Sequence, residues 1–207
     1  LPGSDTTPDA VKILISGGFG VGKTTMVTAI SEIVPMRTEE ELTVISPGVD
    51  DLTGVERKST TTVALDFGRI TLTSELVLYL FGTPGQQRFW FMWNDLAVGA
   101  LGGVVLVDTR RLQTSFAAID FFEKRGIPFV VAVNRFNGHQ PYPTEQIRGA
   151  LALRDEVHLC MFDARERDSC RDVLLALVDR VIAAAMPAQV PELPDVPQAP
   201  SGPRRPT

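Results

Sequence analysis

The sequence predicts an α/β fold of the P-loop nucleotide-binding class, with about six strands in a mostly parallel sheet and helices on both faces. Three observations predict it. The stretch Gly17-Gly18-Phe19-Gly20-Val21-Gly22-Lys23-Thr24 fits the phosphate-loop pattern G-x-x-x-x-G-K-[ST]. It is preceded by the short apolar run Val11-Lys12-Ile13-Leu14-Ile15 and followed by Thr25-Met26-Val27-Thr28-Ala29-Ile30, which suits a helix. Further on, apolar runs alternate with helical stretches as far as Ala185, the order of a parallel sheet covered by helices.

Taken in order, residues 1–10 carry Pro, Gly, Ser, Asp and Thr and read as a loose tail. The folded domain is expected over 11–186. After the phosphate loop a helix runs from about Thr24 to Ile33 and is stopped by Pro35. Residues 36–61 have weak periodicity, with the acidic run Glu39-Glu40-Glu41 and turn signals at Pro47-Gly48 and Asp50-Asp51, and read as a long loop. Thr62-Val63-Ala64-Leu65-Asp66-Phe67 reads as a strand extending towards Leu72, turning near Thr73-Ser74-Glu75 into Leu76-Val77-Leu78-Tyr79-Leu80-Phe81. That hairpin makes the second strand antiparallel to the third.

Gly82-Thr83-Pro84-Gly85-Gln86-Gln87-Arg88-Phe89 follows, then an aromatic helical stretch to about Val98. Strands are expected at Leu101–Val107, Pro128–Val133 and His158–Phe162, and helices at Leu112–Arg125, Thr144–Leu153 and Asp168–Ala185. From Pro187 to Thr207 prolines recur without apolar periodicity, which reads as a disordered or polyproline-like tail.

The phosphate loop carries a definite chemistry. Its glycines let the backbone wrap a polyphosphate with N–H groups pointing inward, and the helix start adds a positive dipole end. Lys23 would place an ammonium between the β- and γ-phosphates, and Thr24 a hydroxyl on Mg²⁺.

Composition excludes several alternatives. A net charge of −5 over 207 residues does not advertise nucleic-acid binding. The two cysteines, Cys160 and Cys170, read as reduced thiols rather than a disulfide. No apolar run is long enough for direct membrane insertion, and residues 1–9 lack the pattern of a signal peptide. A cytoplasmic protein is expected.

Three further stretches fall in the order of a Ras-like small GTPase, which the chain resembles from about Lys12 to Ala185. Thr62 to Phe67 resembles the first switch and Gly85-Gln86-Gln87-Arg88-Phe89 the second. Asn134-Arg135-Phe136-Asn137 resembles the base motif N-K-x-D, and Asp163-Ala164-Arg165 sits where the family has its S-A-K loop. The run Lys58-Ser59-Thr60-Thr61-Thr62 and the aromatic second switch look most like the bacterial small GTPases of actinobacterial conservon operons, relatives of the gliding-motility GTPases.

The resemblance implies GTP and GDP as ligands and Mg²⁺ as cofactor. Residues 17–25, including Phe19, Val21 and Thr25, would bind the phosphates. Thr62 would reach Mg²⁺ and the γ-phosphate, Gly85 would offer its N–H to the γ-phosphate, and Gln86 would orient the attacking water. Thr60 and Thr61 leave that threonine's register open. Asn134 would bond the base and brace the loop, Arg135 would lie along the base face, and Ala164 would give an N–H to the purine. Implied partners are a roadblock-fold regulator and a histidine-kinase-like membrane protein, which would recruit the protein to the inner membrane face.

Three departures qualify this. Gly82 stands where D-x-x-G has its aspartate, so the metal is held less firmly or another acid serves; Asp108, at the end of the next strand, is one candidate, and a cap for the turn that follows is its other reading. Phe19 brings a ring to a position that is often glycine, which predicts slow hydrolysis. Asn137 replaces the aspartate that reads guanine and leaves one donor facing another, which weakens guanine preference by about 1–3 kcal/mol.

Within Phe89-Trp90-Phe91-Met92-Trp93 the large side chains cannot share one helical face; either several pack under the second switch, or some are exposed in one nucleotide state and form a partner site. His139 and His158 read as structural or solvated. Two other functions stay open, a nucleotide-binding interaction subunit with negligible turnover and a P-loop ATPase or small-molecule kinase.

Overall fold

The computed structural model describes residues 8–34, 36–44, 59–136 and 142–185. The chain begins with β1 (Asp9–Gly17), α1 (Lys23–Ile30), β2 (Met36–Val44), β3 (Ser59–Thr71) and β4 (Leu76–Gly82). A 3-10 helix, Gln87–Met92, runs directly into α2 (Trp93–Ala97). Then come β5 (Ala100–Val107), a second 3-10 helix (Thr109–Thr114), α3 (Phe116–Arg125) and β6 (Phe129–Asn134). The domain closes with α4 (Thr144–Ala150), β7 (His158–Phe162) and α5 (Arg167–Ala185).

The strands form one sheet in the order β2-β3-β4-β1-β5-β6-β7. β1 pairs in parallel with both β4 and β5; the chain leaves β1 towards β2 on one side and leaves β5 towards β6 on the other. That makes the carboxyl end of β1 the topological switch point, where ligands of such sheets bind, and the phosphate loop begins there. β3 and β4 form the expected antiparallel hairpin.

The sheet has one strand more than expected. The stretch read as a loop contains β2, paired with β3 from Met36 opposite Phe67 to Val44 opposite Ser59. Its glutamates have poor strand propensity, but the long extended partner overrides a weak local signal. The segment read as a tail is also shorter: Asp9 and Ala10 already pair with Leu76 and Val77. Asn137, His139, the turn signals at 47–51 and the proline-rich 187–207 lie outside the described residues.

The core lies in two layers. Along β1, Ile13 and Ile15 face one layer with Val27 of α1 and Leu177 of α5; Leu14 faces the other with Trp93, Phe122 and Ile147. This alternation is the period-two geometry of a strand buried on both faces. No helix among the described residues is long and apolar enough to cross a membrane. Cys160 and Cys170 are free, and burial pushes their thiols up to about 11 and about 12.

Gly103 of β5 lies directly under the Phe122 ring, where an added β-carbon would fall closer than any ordinary contact. Phe122 is fully buried and wedged against Phe121 and Phe129, so it has little room to give. Gly103→Ala is expected to destabilise the fold by about 1–3 kcal/mol, measured as a lower urea midpoint with an unchanged slope.

Candidate nucleotide-binding site

Gly22 ends the loop as the residue before α1, at φ +111, and a β-carbon there would stand 2.7 Å from Nδ2 of Asn134. Conformation and space both demand glycine. Lys23 opens the helix and folds back: its Nζ donates to the carbonyl oxygens of Gly17 at 2.9 Å and Gly18 at 2.8 Å. The segment after β4 is laid onto this loop. Thr83 donates its N–H to Ile15 O at 2.9 Å and its hydroxyl to Ser16 Oγ at 3.0 Å. Gly85 comes so close that a β-carbon would lie 2.7 Å from Nζ of Lys23 and 2.8 Å from the Phe19 nitrogen. Lys23 and Gly85, joined only by resemblance in the sequence, therefore meet in space.

Burial brings the Lys23 ammonium down to about 8, while the nearby Asp66 carboxylate acts in the opposite direction. Asp66 is a buried carboxylate beside the loop that the sequence reading did not single out. Thr24 donates its hydroxyl to Asp66 Oδ2 at 2.7 Å. Asp66 pairs across the hairpin with Gly82, so their side-chain positions share one face of the sheet. A β-carbon on Gly82 would sit 2.9 Å from Asp66 Cβ and 3.1 Å from its Oδ2. The carboxylate missing at residue 82 thus enters from the neighbouring strand into the space that glycine leaves.

Of the two readings open for Asp108, metal ligand and strand-end cap, its contacts are those of the cap. Its Oδ1 accepts from Arg110, and its Oδ2 from Arg110 and Arg111. It is the strand-end cap of the second 3-10 helix. Burial would raise its pKa, but the hydrogen bonds to the two arginines hold it below the usual carboxylate range. The hydroxyl of Thr24 and the carboxylate of Asp66 are hard oxygen donors and fit Mg²⁺. Thr62 is not brought beside them. It lies within β3, opposite Glu41 and four residues from Asp66, or about 13 Å along the strand. Among the described residues no three His, Cys, Asp or Glu side chains form a metal cluster.

At the other end of the site, the buried Asn134 closes β6. Its Nδ2 donates to Val21 O at 3.0 Å and its Oδ1 accepts from the Ala164 N–H at 3.2 Å. One amide thereby ties the phosphate loop to the loop after β7. Arg135 donates its backbone N–H to Phe162 O. Asp163 holds Arg165 through two bonds, 2.9 Å from Nε and 2.6 Å from Nη2, and accepts the Arg165 N–H. The side-chain bonds to Arg165, opposed by burial, bring the Asp163 carboxyl down to about 2.

Gln86 is half-buried, and its carbonyl accepts the Phe89 N–H. The aromatic stretch is divided between core and surface. Phe89 and Trp93 are buried, and Trp93 Nε1 donates to Pro84 O at 3.0 Å, anchoring the segment that carries Gly85. Trp90 packs on Trp93 at 5.3 Å between ring centres. Phe91 is 60% exposed and Phe19, on the phosphate loop, 66%. Thr25 is exposed on α1, and His158 is exposed at the start of β7.

A phosphate loop at the switch point, a buried lysine, a hydroxyl–carboxylate pair and an amide bridge to the far loop define a P-loop nucleotide-binding protein. Residues 15–184 match the profile of a family described as conserved hypothetical ATP binding protein, and the chain belongs to that family. An uncharacterized protein of Methanocaldococcus jannaschii is 29% identical over 129 residues, spanning 61% of this chain and 71% of that one. Among solved structures, the FeoB G domain of Methanococcus jannaschii is similar with a TM-score of 0.54 at 14% identity, covering 84% of this chain and 99% of that one. The G domain of the T. maritima FeoB iron transporter gives 0.52 at 16%, covering 86% and 100%. At these identities the likeness is one of fold.

Two expectations follow. Asp66→Asn should raise the Mg²⁺ concentration needed for half-maximal nucleotide retention by about tenfold or more. Titrating Mg²⁺ against release of a fluorescent nucleotide reads it. The second concerns Lys23, which in the free protein loses its proton near pH 8 instead of 10.5. A bound polyphosphate favours the charged form, so binding takes up a proton above pH 8 and almost none at about pH 6.5. Calorimetry in two buffers of different ionisation enthalpy measures that uptake, and Lys23→Met should abolish it.

Proposed function

We propose that the protein is a guanine-nucleotide switch that binds GTP with Mg²⁺, hydrolyses it slowly and presents its state through the segment from Gly85 to Ala97. The observation that carries this is the amide of Asn134, which joins Val21 of the phosphate loop to Ala164. An asparagine at a strand end between these two loops suits a purine site coupled to a phosphate site. The Lys23 ammonium neutralises the β- and γ-phosphates, and the Gly85 N–H offers a donor to the γ-phosphate. Thr24 and Asp66 would hold Mg²⁺, which supplies neutralisation of the charge that develops on the phosphates. Gln86 orients the water, and release of Gly85 after hydrolysis frees the second switch.

Adenine nucleotides form the second reading, favoured by the family description and by Asn137 in place of an acid. Competition of GTP and ATP for one labelled nucleotide separates them: stronger displacement by GTP supports the switch reading, and equal or stronger displacement by ATP sinks it. Turnover without a partner is expected to be slow. The exposed Phe19 ring stands at the loop where a stimulating residue would enter, so Phe19→Gly should speed single-turnover hydrolysis; an unchanged or lower rate overturns the crowding account.

The chain further resembles the conservon type, whose partners would be a roadblock-fold regulator and a histidine-kinase-like protein at the inner membrane face. Phe91 is the exposed aromatic suited to such a contact, and Trp93 is its anchor in the core. Phe91→Ala should therefore reduce capture of the roadblock partner while leaving nucleotide affinity intact.

A further inference from the structure

At the carboxyl end of β5 one buried carboxylate holds two arginines that reach the two halves of the nucleotide site. Asp108 is 1% exposed, while the side chains of Arg110 and Arg111 are 61% and 45% exposed. Asp108 Oδ1 accepts from the backbone N–H of Arg110 at 3.0 Å and from its Nε at 2.8 Å; Oδ2 accepts from Arg110 Nη2 at 2.9 Å and Arg111 Nη2 at 3.3 Å.

From this anchor the arginines diverge. The Arg110 guanidinium lies 4.0 Å from the centre of the Phe136 ring, inside the base-recognition stretch Asn134-Arg135-Phe136-Asn137. Arg111 leaves helical geometry at φ −147, ψ 52, and its Nη2 stands 3.5 Å from where a β-carbon of Gly20 would be. Just beyond, Thr114 packs directly against Gly18. The turn after β5 is therefore a wall of the phosphate loop.

We propose that Asp108, Arg110 and Arg111 form a clamp across the nucleotide site, in which Arg111 adds a cation for the polyphosphate and Arg110 is a positioning residue that holds the base-recognition segment through Phe136. The proposal rests on the nucleotide-binding reading of the site and not on which purine it prefers. A guanidinium suits both tasks. Its planar fork fits Asp108 through two parallel bonds while its face lies on the ring, which an ammonium cannot do together. Arg111 spends one donor on Asp108 at 3.3 Å, and its exposed head stands beside a loop whose N–H groups already attract anions.

Binding of two probes by the full chain tests the clamp: the tighter of GTP and ATP, and inorganic tripolyphosphate, which has the phosphates without a base. Arg111→Ala should weaken both probes by about threefold to tenfold. Arg110→Ala should weaken the nucleotide by a similar factor and leave tripolyphosphate unchanged, and Arg110→Lys should not restore the loss. Equal loss of both probes in Arg110→Ala, rescue by Arg110→Lys, or no loss of either probe in Arg111→Ala overturns the clamp. If the parent binds neither probe, the nucleotide reading itself fails and the clamp with it.

Discussion

An ammonium group buried against the carbonyls of its own loop sets the conditions for the rest of the site. Lys23 cannot be solvated where it lies, and an unpaired buried charge costs several kcal/mol. Two carbonyl oxygens of the loop and the Asp66 carboxylate are its nearest compensation. Those carbonyls face the ammonium in a loop that Gly17 turns at φ +135, and neighbouring groups approach Gly22 and Gly85 so closely that neither position has room for a side chain. Burial lowers the lysine's proton affinity, and a polyphosphate bound beside it would raise that affinity again.

Asp66 shows how a site can keep its chemistry while moving the residue that supplies it. In an antiparallel hairpin, residues opposite each other project to the same side. A carboxylate on β3 can therefore occupy the space of a carboxylate on β4, provided β4 has no side chain there. Gly82 meets that condition, and with a larger residue at 82 the two groups would collide. The exchange also changes what the metal would sense. A carboxylate on β4 would lie beside central β1, whereas Asp66 lies on β3, next to the edge strand β2. A movement of β3 would carry the Asp66 carboxylate with it.

Most of the fold was legible because its signals are local. The phosphate loop, the alternation of apolar strands with helices and the antiparallel hairpin can each be read from a short window, and the sheet realises all three. β2 escaped because its residues favour a strand only when β3 is beside them. The importance of Asp66 was within reach but went unread. The turn centred on Ser74 places residues 66 and 82 equally far on either side, so the hairpin register alone pairs them. Asp108 stayed open between two readings because position at a strand end says nothing of which neighbours claim the carboxylate; Arg110 and Arg111, two and three residues on, claim it.

The same reasoning separates the two halves of the site. The phosphate half is built from backbone: loop carbonyls, glycine clearances and the ends of central strands. Side-chain changes elsewhere leave such a scaffold largely intact. The base half is built from side chains that brace one another: Asn134 between Val21 and Ala164, Arg165 on Asp163, and Arg110 on Phe136. The contacts of Asn134 and of Arg110 join different loops, whereas Asp163 and Arg165 brace one loop from within.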